Sequence, residues 1–235
     1  VDHTCDFNLA YTEDARRNLL REGLHPRRIY VTGSPIYEVI QHYHNNILEN
    51  DILTKLGLRD REYFAASIHR QETVDSPDRI RDIFSAFVQL HQKHRLPVIL
   101  STHPRTKQKI SQFGIAIPGG VRCVSPLGYF DWCRLQMSAA CVVSDSGTIS
   151  EEAAILDFPA VTPRNAMERP EAMDCGNVVL CGVTPEEILS SVSLMMAHST
   201  ITARKIPNEY EIPDVAHRVA ALIAGTCQLS RNWTY

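Results

Sequence analysis

The sequence predicts an α/β fold in which a parallel sheet is covered by helices on both faces. Two observations predict it. Short apolar runs alternate with helix-length amphipathic segments from residue 63 onward, the pattern of repeated βα units. Several chemistry-bearing residues (His69, His103 and Ser146) then fall at the ends of the expected strands. In sheets of this kind ligands bind beyond the carboxyl ends of the strands.

Taken in order, Asp6–Tyr11 reads as a short extended segment. Thr12 is a good N-cap for a helix from Glu13 to about Glu22, and Gly23 stops it. Arg27–Gly33 reads as a second strand and turn, and a polar helix is expected from about Ile36 to Leu56, ended by Gly57. Tyr63–Ile68 is a buried-looking strand that delivers His69. Asp78–Arg95 fits a helix whose apolar positions are Ile80, Ile83, Phe84, Phe87, Val88 and Leu90. Val98–Thr102 is the next strand, ending at His103; Val121–Val124 follows, then a loop and a helix over Phe130–Ser138. Ala140–Ser144 is a strand that runs into a small polar turn and a helix carrying Glu151 and Glu152. Pro159–Thr162 and Asn177–Cys181 are short strands. Thr184 caps a helix near Pro185–Ala197, with Pro185 at its first position, and a last helix covers about Pro213–Ala224.

Composition narrows the function classes. The chain has 235 residues, 44% hydrophobic and 22% charged, with a net charge of −3. That balance is ordinary for a globular protein and implies no sequence-wide attraction to nucleic acid or anionic membrane. No apolar run approaches the ~20 residues a membrane span needs. Val1–Asp6 lacks the basic start and apolar core of a signal peptide, and the absence of an initiator Met suggests a chain that begins mid-protein. The seven cysteines form no C-x-x-C pair, which favours a reduced cytoplasmic protein over a disulfide scaffold or zinc site. Neither a G-x-S-x-G elbow nor a P-loop is present.

The strongest local signal is Cys141–Glu152. A turn of Ser146-Gly147-Thr148 at a helix start offers backbone N–H groups and the positive helix end to a phosphorylated ligand. Gly147 lets a ligand approach the backbone closely. Glu151 and Glu152 point about 100° apart on a helix, so one faces the site and the other solvent or a basic group. An ordinary capped helix would use similar residues. His69-Arg70-Gln71-Glu72 places an imidazole, a guanidinium and a carboxylate at a strand end, where a charged surface loop is the alternative. Pro104 restricts His103 to extended backbone, either to aim it at a ligand or simply to enter a helix. Pro126–Trp132 offers a backbone group and aromatics that could hold a base, unless Tyr129, Phe130 and Trp132 are core. Arg169 could grip phosphate in bidentate fashion or belong to a surface salt-bridge cluster with Glu168 and Glu171.

Together, Tyr11-Thr12-Glu13, Arg27 through Pro35, Ser67 through Glu72, Ser101 through Arg105, Pro126 through Tyr129, Ser144 through Glu152 and Glu168 through Glu171 resemble, in order, the non-hydrolysing UDP-N-acetylglucosamine 2-epimerase family. The resemblance implies a two-domain GT-B-like enzyme with Rossmann-like halves. Residues 1–60 would be the crossover segment, 61–205 the second, UDP-binding domain, and 206–235 a closing helix and tail; the first domain would be absent. It implies C2 epimerisation of a UDP-activated 2-acetamido sugar by elimination and re-addition of UDP, without a cofactor, in a homodimer. Carried over by residue, His69 is the active-site histidine near the diphosphate, with Arg70 beside it. Ser146, Gly147 and Thr148 form the phosphate turn, and Glu152 holds the ribose hydroxyls. Trp132 lies against uracil, Leu127 supplies the backbone group that reads it, and His103, Glu168 and Arg169 line the cleft. The family's usual second turn glycine, the glutamine after it and the threonine before Glu168 are here Thr148, Ser150 and Met167. These departures resemble the capsule and O-antigen branch, which makes UDP-N-acetyl-L-fucosamine. The alternative is the donor domain of a GT-B glycosyltransferase using a UDP-sugar.

Overall fold

A computed structural model describes residues 2–198 and 205–229, so the end of the expected tail lies outside the described residues. The chain divides into two compact units, residues 1–43 with 206–235, and residues 44–205.

The smaller unit holds two short parallel strands, β1 (Asn8–Ala10) and β2 (Ile29–Val31), paired Asn8 to Ile29. Between them runs helix α1 (Glu13–Arg21), capped by Thr12, whose hydroxyl accepts from Ala15 N–H at 3.2 Å. The chain turns at Gly33, where φ is +90° and a Cβ would sit 2.8 Å from the Ile212 side chain. Helix α2 (Ile36–His42) follows. Its Glu38 caps the closing helix Val215–Thr226 by accepting from Ala216 N–H at 2.8 Å.

The expected single helix over residues 36–56 is instead three pieces, α2, α3 (His44–Leu48) and α4 (Ile52–Leu56). The break between α3 and α4 centres on Asn50. Asn50 uses its side-chain carbonyl to accept from Ile52 N–H at 2.9 Å and its amide to donate to Asp131 at 2.8 Å. Asn side chains that compete for backbone groups interrupt helices. Gly57 ends α4 in the left-handed region, as its position in the sequence suggested.

The larger unit is a six-stranded parallel sheet. Its strands are β3 (Phe64–Ser67), β4 (Val98–Ser101), β5 (Val121–Val124), β6 (Cys141–Ser144), β7 (Ala160–Pro163) and β8 (Val178–Cys181). They lie in the order β5-β4-β3-β6-β7-β8. Every strand matches an apolar run read from the sequence to within a residue or two. β3, β4, β6 and β7 are buried almost throughout, the signature of strands covered on both faces.

Helices α5 (Gln71–Val74), α6 (Pro77–His94), α7 (Pro104–Gln112), α8 (Tyr129–Met137), α9 (Ile149–Ile155), α10 (Glu171–Asp174) and α11 (Pro185–His198) connect them. α5 and α10 are too short to be read from the sequence, and α7 is the helix that the alternative reading of His103 enters. α6 buries Ile80, Ile83, Phe84, Ala86, Phe87 and Leu90, whereas Val88 is only half-buried. The larger of those side chains each contribute about 1.5–3 kcal/mol by leaving water. Ser76 caps α6, and Thr184 with Glu187 forms a reciprocal capping box at the start of α11.

The consequence for function lies in the strand order. β3 is flanked by β4 on one side and β6 on the other, so the connections diverge there. A crevice beyond the carboxyl ends at such a switch point is the expected ligand position.

Candidate functional site

The loops after β3 and β6 are tied together at this switch point. Ser67 and Ser144 are paired at the strand ends, and Asp145 N–H donates to the Ser67 carbonyl at 3.2 Å. The fully buried Asp145 carboxylate accepts from His69 N–H at 2.9 Å and Arg70 N–H at 2.9 Å. It also lies 3.3 Å from His69 Nδ1. Burial pushes the Asp145 carboxyl above the ordinary range, against the pull of those donors. His69 and the turn beginning at Ser146 therefore stand on neighbouring loops of one sheet end.

Arg70 spans the same junction. Its Nε donates to the Asp145 carbonyl at 2.8 Å, and its fork meets Glu168 at 3.2 and 3.5 Å. Glu168 also accepts from the buried Arg164. The paired Arg164 holds the Glu168 carboxyl down at about 2. Arg169 is not directed at open solvent. Its Nη1 donates to the fully buried Glu151 carboxylate at 2.6 Å and to the Gly147 carbonyl at 3.1 Å. Arg169 thus braces the turn through Nη1. Glu151 takes the basic partner that its 100° offset from Glu152 left open, and neither carboxylate faces solvent.

Ser146, Gly147 and Thr148 are half-buried and open α9. Ser146 Oγ lies 3.1 Å from Thr148 Oγ1 and accepts from Thr148 N–H at 3.4 Å. Gly147 is not in the left-handed region, and a Cβ there would meet only Arg70 Nη2 at 3.5 Å. Neither backbone conformation nor packing within the chain demands glycine at this position.

Glu152 is buried on α9 and accepts from Gln136 Nε2 of α8 at 2.9 Å. Burial outweighs that hydrogen bond and raises its carboxyl to about 7. Trp132 stands one helical turn from Gln136 on α8 and is half-buried, as is Leu127 in the preceding loop. Tyr129 is exposed at the start of α8, so the aromatic cluster is not core.

His103 is exposed on the loop after β4, with its ring 6.0 Å from that of His69. Its backbone is extended, as Pro104 requires, and its Nδ1 accepts from Arg105 N–H at 3.3 Å to cap α7. The helix-entry reading accounts for Nδ1; the ring's other nitrogen is a separate resource.

The structure thus brings His69, Arg70, Ser146, Gly147, Thr148, Glu168 and Arg169 into one bonded cluster, with His103 beside it. Glu152, Trp132 and Leu127 lie on the α8 side. Sequence reading missed Asp145, Gln136 and Arg164 as members. Asp145 had a usable signal, an acid separated only by Ser144 from the apolar run Ala140–Val143. Arg164 and Gln136 had none.

Residues 1–224 match a family model described as UDP-N-acetylglucosamine 2-epimerase. A UDP-N-acetylglucosamine 2-epimerase of Methanocaldococcus jannaschii is 30% identical over 203 residues, which cover 83% of this chain and 56% of that protein. Among solved structures, the UDP-N-acetylglucosamine 2-epimerase of Rickettsia bellii superposes with a TM-score of 0.86 at 31% identity, covering 97% of this chain and 62% of that one. The M. jannaschii UDP-GlcNAc 2-epimerase in complex with UDP-GlcNAc and UDP gives 0.83 at 28%, covering 94% and 62%. The chain spans little more than half the length of the curated relatives it matches.

Proposed function

We propose that this chain, which belongs to the UDP-N-acetylglucosamine 2-epimerase family, is the nucleotide-binding C-terminal part of an enzyme that inverts C2 of a UDP-activated 2-acetamido sugar. The observation that carries the reading is the junction of the His69–Arg70 loop with the 145–148 turn through the buried Asp145 carboxylate. It presents a helix start, hydroxyls and an imidazole where a diphosphate would lie.

In this reading the C2 proton is removed and UDP departs from C1, leaving a 2-acetamidoglycal. UDP then returns to C1, and a proton is delivered to the opposite face of C2. The departing group carries the developing negative charge. Backbone N–H groups at Ser146–Thr148, with His69 and Arg70, are the donors set to stabilise it. Glu152 accepts ribose hydroxyls, Trp132 lies against the uracil face, and the Leu127 backbone reads its edge. His103, Glu168 and Arg169 complete the wall. We place the carboxylates that move the C2 proton outside this chain, so these 235 residues bind UDP without epimerising. We further assign the chain to the capsule and O-antigen branch, acting on a UDP-6-deoxy sugar as a cytoplasmic homodimer. Thr148, Ser150 and Met167 support that branch. No helix among the described residues is long and apolar enough to cross a membrane.

The test is proton NMR of the full-length enzyme in deuterated water, with UDP-GlcNAc and with the UDP-6-deoxy sugar as substrates. Deuterium entering C2 with inversion and retention of the UDP linkage is the expected result. Transfer of the sugar to an acceptor with release of UDP would replace epimerase by glycosyltransferase.

A further inference from the structure

Both arms of the Arg70 fork are occupied within the chain. Its Nε is fixed on the Asp145 carbonyl at 2.8 Å, and Nη1 and Nη2 meet the two oxygens of Glu168 at 3.2 and 3.5 Å. A carboxylate laid across both arms of a guanidinium has the geometry that a phosphate group adopts on the same fork. The fork stands over the 145–148 turn, because a Cβ on Gly147 would lie 3.5 Å from Nη2. Glu168 is therefore an anion held where the nucleotide-binding reading puts another anion.

The two arginines hold Glu168 unequally. Arg164 is buried, its Nε has no partner among the described residues, and its guanidinium pairs with Glu168. A buried charge that loses its counter-charge is costly, so this contact is the one to keep. The Arg70 side chain is 26% exposed, and its contacts with Glu168 are longer than the about 2.7–2.9 Å of close charge-assisted bonds. Glu72 stands 3.6 Å from Arg70 Nη1 as a second carboxylate. The Arg70 contact is thus the one to give up. The Glu168 side chain is 61% exposed, which leaves it able to turn away from Arg70 while it stays on Arg164.

We propose that Glu168 is a stand-in for the ligand: it occupies the Arg70 fork until the diphosphate of a bound nucleotide takes the fork from it, and it stays paired with Arg164 throughout. The inference rests on the nucleotide-binding reading and deepens it by naming what the ligand must displace. Two consequences follow from the geometry. The fork is kept in shape before the ligand arrives, so little side-chain ordering remains to be done on binding. The exchange also discriminates, since a ligand that brings several negative charges to the fork repays the loss of one carboxylate better than a monoanion does.

The test is calorimetric titration of UDP and of inorganic pyrophosphate into the native chain, Glu168→Gln, Glu72→Gln, Arg70→Lys and the R70K/E168Q double variant. E168Q is expected to bind both ligands about fivefold more tightly, the worth of one partly exposed ion pair removed from the competition. E72Q removes the same charge from beside the fork without emptying it, and is expected to gain less than about twofold. The gain from E168Q is expected to disappear in the R70K background, because a lysine has no fork to free. In a crystal structure of the native chain with UDP, Glu168 should lie beyond hydrogen-bonding distance of Arg70 and still on Arg164. Equal or weaker binding by E168Q overturns the proposal and leaves the nucleotide-binding reading standing. A gain that E72Q matches, or that persists in the R70K background, also overturns it, since either shows general repulsion rather than competition for the fork. A chain that binds neither ligand overturns the nucleotide-binding reading, and with it the proposal built on it.

Discussion

The two sides of the site are built differently. On the side proposed to take phosphate, Asp145, Glu151, Arg164, Arg70 and Arg169 form a web in which nearly every charge meets an opposite charge or a backbone group. On the side proposed to take the base, Leu127, Tyr129 and Trp132 are half-buried or exposed, and Asp131 accepts from Asn50 near the helix start. The difference follows from what each side would receive. An anion must meet donors already fixed in place, because reorganising charges in a poorly solvated site is costly. A flat aromatic ligand needs an open face and little else. The braced side should therefore fail as a unit, and the open side should fail locally.

Asp145→Ala tests the first half and has the largest expected effect. It leaves the His69 and Arg70 N–H groups without their buried acceptor, a loss of about 3 kcal/mol. Denaturant unfolding of the six-stranded unit should show this, and binding of both UDP and inorganic pyrophosphate should weaken. A fully stable D145A would mean that the loops are not braced through this residue. Trp132→Ala tests the second half. It should cost UDP affinity about 1–3 kcal/mol by loss of stacking, while pyrophosphate binds as before. Equal losses for both ligands would erase the distinction between the sides. The smallest effect concerns Glu168, whose carboxyl is held at about 2 against an unfolded value of 4.5. A lowered carboxylate stabilises the fold above its unfolded value and loses that contribution as pH falls toward the folded one. The advantage of the native chain over Glu168→Gln should accordingly fade between about pH 4.5 and pH 2. The carboxylate is largely exposed, so its size should stay near 0.5 kcal/mol. An unchanged difference across that window would show that the Arg164 and Arg70 contacts do not bind the charge.

Strands were the most legible part of the sequence, since β3, β4, β6 and β7 are apolar runs of the right length between polar turns. Helices with a strong apolar stripe, such as α6, were legible for the same reason. The break at Asn50 was not, because it depends on Asp131, 81 residues further along the chain. In the site, residues at strand ends announced themselves by position: His69, His103 and Ser146 all follow an apolar run. Their supports did not. Arg164 lies in a loop with no pattern, and Gln136 is a polar residue on a buried helix face, which sequence alone reads as an exception. Arg169 shows the limit most clearly. Its charge suggested a ligand, and its geometry shows a partner already in place on Glu151.

Gly147 offers the most direct test of the central claim, that the 145–148 turn is shaped to receive the diphosphate of UDP. Nothing inside the chain requires glycine there, so Gly147→Ala should leave stability within about 0.5 kcal/mol. Calorimetric titration of UDP into the native chain should show saturable one-to-one binding, weakened about tenfold or more in G147A because the added methyl occupies the path of the ligand. Equal affinity in the two proteins, or no saturable binding by the native chain, would contradict it.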